Sequence, residues 1–149
     1  MKAIPFIPLA LGLAGLTPFV WGALTMLIPG LGEWALQQLG GRFVGPFVGL
    51  SYGTVILAFM SGVLWGFATK AEGRVAHAGY VLSVIPALWV FFMVGGGPTA
   101  AAMNLIAGFL GLLLLDWHFW SFGLAPRWWM HLRVLLTTIV VLCLLPAVF

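Results

Sequence analysis

Asp116 and Arg133 are the two side chains of this sequence best placed to do chemistry together. Each stands in an apolar run, next to a histidine (His118, His131) and among tryptophans (Trp117, Trp120, Trp128, Trp129). With Arg127, the stretch 115–133 holds one of the chain's three acids, two of its six Lys/Arg, two of its three histidines and four of its eight tryptophans. A carboxylate and a guanidinium can form an ion pair or belong to a proton or anion path, and imidazoles can ligate a metal or haem or carry protons.

Spacing decides among these. If one helix runs to about Ser121 and the next starts at about Arg127, Asp116 and Arg133 lie at similar depth on either side of a short turn. A charge within the membrane boundary is expensive unless paired, so the expectation is an Asp116–Arg133 ion pair locking a hairpin. A proton relay would need further acids deeper in the bilayer, and there are none. His118 and His131 lie two residues from these charges, on nearly opposite helix faces from them, so they face each other or the lipid headgroups. His77 falls on the same side of the membrane. No two histidines share the i, i+3 or i, i+4 spacing of a helical metal site, so no metal or cofactor is required. Arg127, Trp128 and Trp129 suit an interfacial aromatic belt against anionic headgroups. GxSxG, Walker and HExxH signatures are absent.

The elements that must position these residues follow from composition. Of 149 residues, 63% are hydrophobic and 6% charged, against about 25% charged in a soluble domain. The surface therefore faces lipid, and the fold class is an all-α integral membrane bundle. The net charge of +3 is scattered singly rather than clustered, which excludes a nucleic-acid partner. Cys143 has no partner for a disulfide.

Five stretches reach the roughly 20 apolar residues that a crossing needs, at about 6–28, 46–68, 76–94, 99–117 and 128–146. The first exceeds a signal-peptide h-region, lacks a small-x-small cleavage site and reads as a retained anchor. Pro18 should kink it, with Thr17 able to serve the freed carbonyl. With five crossings, Lys2, Lys70, Arg74, Arg127 and Arg133 share one side and Arg42 lies on the other. The positive-inside rule then places the N-terminus in the cytoplasm and the C-terminus in the periplasm. Between the first two spans, the segment 30–45, with Trp34, Gln37 and Gln38, suits a short amphipathic helix in the outer interface.

Gly45, Gly49 and Gly53 recur at four-residue spacing, and Gly62 and Gly66 continue it after an offset, predicting close helix packing centred on the second span. The same pattern would also serve a homo-oligomer or heteromeric interface. Asn104, near mid-membrane in the fourth span, needs a hydrogen-bond partner, for which Tyr52, Thr54, Ser61 and Ser83 are candidates.

The run Leu114–Asp116, then Gly123-Leu124-Ala125-Pro126, Trp129 and Leu132-Arg133 leading into Leu136-Thr137-Thr138-Ile139-Val140-Val141, resembles the C-terminal signature of a bacterial and mitochondrial membrane family of unknown function, one related to transmembrane protein sixty-nine. Residues 7–19, Ser51-Tyr52-Gly53 and Ser61-Gly62-Val63-Leu64-Trp65-Gly66 extend the resemblance over nearly the whole chain. The family pattern has a His where this chain has Leu64, so a role resting on that His does not transfer. The resemblance implies an inner-membrane helical protein and supplies no reaction. The functional expectation is an accessory or assembly subunit of a respiratory or photosynthetic membrane complex, with lipids and other membrane subunits as partners. The alternative is a binder or carrier of a quinone, haem, tetrapyrrole or lipid at the Trp/His/Arg hairpin.

Overall fold

The computed structural model describes residues 3–149; Lys2, counted above among the cytoplasmic charges, lies outside them. The described chain is all helical, with α1 (Phe6–Ala14), α2 (Thr17–Leu27), α3 (Pro29–Leu39), α4 (Phe47–Ala68), α5 (Gly73–Ser83), α6 (Ile85–Met93), α7 (Pro98–Ser121) and α8 (Trp129–Leu144). Short 3-10 turns occupy Gly41–Phe43 and Leu145–Ala147. Helix α1 continues into α2, and α5 into α6. Five helical rods are thus long and apolar enough to cross a membrane: Phe6–Leu27, Phe47–Ala68, Gly73–Met93, Pro98–Ser121 and Trp129–Ala147. At about 1.5 Å rise per residue, each is matched to a hydrocarbon core of about 30 Å.

Proline explains both broken rods. Pro18 lacks the N–H that would serve the Ala14 carbonyl, and the Thr17 hydroxyl donates to that carbonyl at 2.6 Å instead. Pro86 does the same to the third rod, a break that the sequence reading passed over. There the Ala87 N–H leaves its own helix and donates to Ser61 Oγ of α4 at 2.8 Å. The fully buried Ser83 hydroxyl turns back to the Tyr80 carbonyl at 2.7 Å.

The connector after α2 does form a short helix, α3, of which only Ala35 is buried, and Gly40 ends it at φ 85°. The connector is stapled to the first rod, since Trp21 Nε1 donates to the Phe43 carbonyl at 2.7 Å and the Gly45 N–H to Thr25 Oγ1 at 2.8 Å.

Helix α4 packs against α2, α5, α6 and α7. The glycines just before it and along it divide into two groups. A Cβ on Gly45 would strike the Gly22 carbonyl oxygen, one on Gly53 would lie 2.5 Å from Leu105 Cδ2, and one on Gly49 would sit 3.5 Å from Leu144. Gly62 and Gly66 instead are exposed, and an added Cβ would meet nothing within 4 Å. The offset explains this correction. Nine residues from Gly53 to Gly62, at about 100° each, turn the helix by half a revolution. The packed face continues through Leu57, Met60, Leu64 and Ala68, all buried.

Asn104 finds a partner outside the expected set. Its Nδ2 donates to the Met93 carbonyl at 2.9 Å, an acceptor left free where α6 ends, while Trp89 Nε1 donates to the Asn104 backbone carbonyl at 2.7 Å. The Trp89 indole also fills the space that a side chain at Gly108 would occupy.

Candidate functional site

Helices α7 and α8 form an antiparallel hairpin whose turn is set by Gly123 at φ 73°. Asp116 lies five residues from the end of α7 and is fully buried, and Arg133, early in α8, is 5% exposed. Arg133 Nε donates to Asp116 Oδ2 at 2.8 Å. Trp129 Nε1 donates to the other carboxylate oxygen, Oδ1, at 2.9 Å. Trp129 therefore does not belong to the headgroup belt: one helical turn before Arg133, it packs edge-on against Phe67 and works inside the bundle.

This geometry leaves a donor over. A guanidinium set side-on to a carboxylate uses Nε and one Nη on the two oxygens. Here Trp129 has taken the second oxygen, and the buried Arg133 Nη2 has no partner among the described residues. One turn further along α8, the Thr137 hydroxyl is also buried and unpartnered. Thr54 and Thr138 bond the carbonyl four residues back in the usual way for a helical threonine, and Thr137 does not.

Arg133 and Thr137 both line a cavity of about 300 Å³ between the first rod, α4, α7 and α8. Its other walls include the buried Phe19, Met60, Phe109 and Val140, with Tyr52 beside them. Gly12 and Gly15 of the first rod also line it; a Cβ on Gly12 would press on Leu136 Cδ1 at 3.0 Å, and one on Gly15 would stand 3.6 Å from the Tyr52 hydroxyl. Leu11 and Phe59 at the rim are 68% and 64% exposed. The cavity therefore opens sideways, on the surface that faces lipid in a membrane.

The remaining residues singled out in the sequence do not converge on this site. His118 is half-buried and packed at a tilt against Phe122, with ring centroids 4.7 Å apart. His131 is exposed on a groove with Trp120 and Met130, no hydrogen bond joins it to His118, and His77 is exposed at the start of α5. Among the described residues no three His, Cys, Asp or Glu side chains are grouped to hold a metal ion. Arg127 is exposed, its carbonyl accepting from Trp120 Nε1 at 3.2 Å, and Trp128 packs on Trp129 with centroids 6.1 Å apart. Sequence reasoning missed Thr137 and the Gly12–Gly15 wall. For Thr137 the signal was present, because four residues after Arg133 it shares that helix face.

The chain is 33% identical over 150 residues to Transmembrane protein 69 of Xenopus tropicalis, an alignment that covers 97% of this chain and 54% of that protein. The chain thus spans about half the length of the curated relative it matches. No solved structure matches it. The family model described as Protein of unknown function (DUF3429) matches residues 4–149. With five rods fit to span a bilayer and that match across nearly all of its length, the chain is a multi-pass membrane protein and belongs to the DUF3429 family.

Proposed function

We propose that this protein binds a hydrophobic small molecule within the bilayer, holding it in the lateral cavity between the first rod, α4, α7 and α8. The observation that carries the reading is a pair of buried polar groups without partners, Arg133 Nη2 and Thr137 Oγ1, on residues that wall an apolar cavity. Buried polar groups are nearly always satisfied, and a pocket of mostly apolar lining with a few convergent polar groups is what ligand sites are made of. Of the hairpin expected from the sequence only Arg133 lines this cavity; His77, His118, Arg127, Trp128, Trp129 and His131 do not. An accessory or assembly role in a larger respiratory or photosynthetic complex would rest on the exposed apolar faces, which any lipid-facing bundle has.

The same reading sets the protein in a bacterial inner membrane with the N-terminus cytoplasmic and the C-terminus periplasmic. Arg133 is neutralised inside the bundle and does not count as a topology signal. Among the described residues Lys70, Arg74 and Arg127 fall on one side of a five-span chain and Arg42 on the other, which favours that orientation. The hydrogen bond from Lys70 Nζ to the Leu124 carbonyl, 3.3 Å, supports the two cationic connectors sharing one end.

The test is purification in a gentle detergent followed by mass spectrometry of both proteins and extracted small molecules. Enrichment of a small molecule at near-stoichiometric ratio, lost in a Gly15→Leu variant that fills the cavity, is the expected result. Constant recovery of a large membrane complex with no enriched molecule would replace this reading with the accessory-subunit one.

A further inference from the structure

We infer that the cavity selects a neutral hydrogen-bond acceptor, a carbonyl carried on an apolar chain, and rejects carboxylates and phosphates; this rests on the binding function proposed above. Among the described residues Arg133 is the only charged one in the cavity wall, and its charge is already balanced by Asp116 at 2.8 Å. The guanidinium therefore holds a spare N–H without a net charge to neutralise, sealed behind the cavity wall until an occupant moves in against it. An anion placed against Nη2 would leave a net negative charge in apolar surroundings and near Asp116, which burial penalises heavily. A carbonyl oxygen satisfies the same donor without that penalty.

Thr137 and Tyr52 fit the same occupant, because a hydroxyl can donate to a carbonyl or accept from a hydroxyl beside it. About 300 Å³ is at the small end of ligand sites, enough for a ring or the head of an acyl chain. The tail would leave past the exposed Leu11 and Phe59 into the lipid. Two kinds of membrane molecule carry this chemistry, an isoprenoid-type quinone and the ester carbonyl of a glycerolipid.

The purified protein, in detergent micelles, is equilibrated with an equimolar mixture of a decyl-tailed benzoquinone, dioleoylglycerol and oleate, and the retained molecules are counted by native mass spectrometry. The quinone or the diacylglycerol should be retained about tenfold or more over oleate, and whichever is retained identifies the source. Thr137→Val should lower that retention by about three- to tenfold, the loss of one hydrogen bond. Asp116→Asn, which uncovers the Arg133 charge, should move the preference toward oleate. Should Asp116→Asn fail to fold, Thr137→Val and Gly15→Leu carry the test, since retention untouched by both would place binding elsewhere and overturn the inference. Preferred retention of oleate by the unaltered protein would overturn the neutral-acceptor selectivity and leave the cavity as a binding site. Retention of none of the three would overturn both.

Discussion

Asp116 is held by two donors from the next helix, and that arrangement decides what its removal does. The carboxylate lies in a fully buried position with Arg133 Nε on one oxygen and Trp129 Nε1 on the other. Asp116→Ala would strand a buried guanidinium, a loss of about 3–5 kcal/mol for a broken buried pair. Trp129→Phe keeps the ring and removes one donor, for about 1–3 kcal/mol from an acceptor left unpaired. The double change Asp116→Leu with Arg133→Met should recover most of the stability lost in Asp116→Ala, because two apolar side chains replace two charges. Thermal unfolding in one detergent, followed by tryptophan fluorescence for the Asp116 and Arg133 variants and by circular dichroism for all, gives the order. A double variant as unstable as the single would show that the pair adds net stability.

The rods were legible in the sequence because each is a run of apolar residues bounded by glycine, proline or charge, and the Asp116–Arg133 pair was legible because charge within such runs is rare. What sequence could not order was which face of a rod meets its neighbours. Four-residue spacing marks a stripe, and the half-turn between Gly53 and Gly62 carries the second part of that stripe to the outside. Gly53→Ala should therefore destabilise by about 1–3 kcal/mol through overpacking against Leu105. Gly62→Ala should be neutral or stabilising by up to about 1 kcal/mol, from helix propensity alone. A large loss of stability in Gly62→Ala would mean that this face is packed in the membrane, as in an oligomer. The break at Pro86 teaches the same lesson. A proline in an apolar run announces a lost hydrogen bond but not its replacement, which here comes from another helix. Ser61→Ala removes the acceptor of the Ala87 N–H and should cost about 1–3 kcal/mol in the same unfolding assay.

At the scale of the molecule, the cavity was out of reach of sequence because its walls are gathered from four rods spread between Leu11 and Val140. The number of rods was within reach, and it fixes whether the two chain ends share a side. Hydropathy alone leaves the orientation open, and the charge balance supplies it, weakened now that Arg133 is an internal partner. Single cysteines at Glu72 and Phe149, both exposed, test the count and the orientation together once the native thiol is removed as Cys143→Ala. An impermeant maleimide on intact cells should label Phe149→Cys at once and Glu72→Cys only after the membrane is permeabilised. The reverse pattern would keep five spans and invert the protein, placing the Asp116–Arg133 end and the connector that caps it on the outer side. Labelling of both positions from the same side would remove one rod from the membrane. The third, broken at Pro86, would then be the first to suspect, since a prolyl interruption is where a crossing most readily becomes a re-entrant segment.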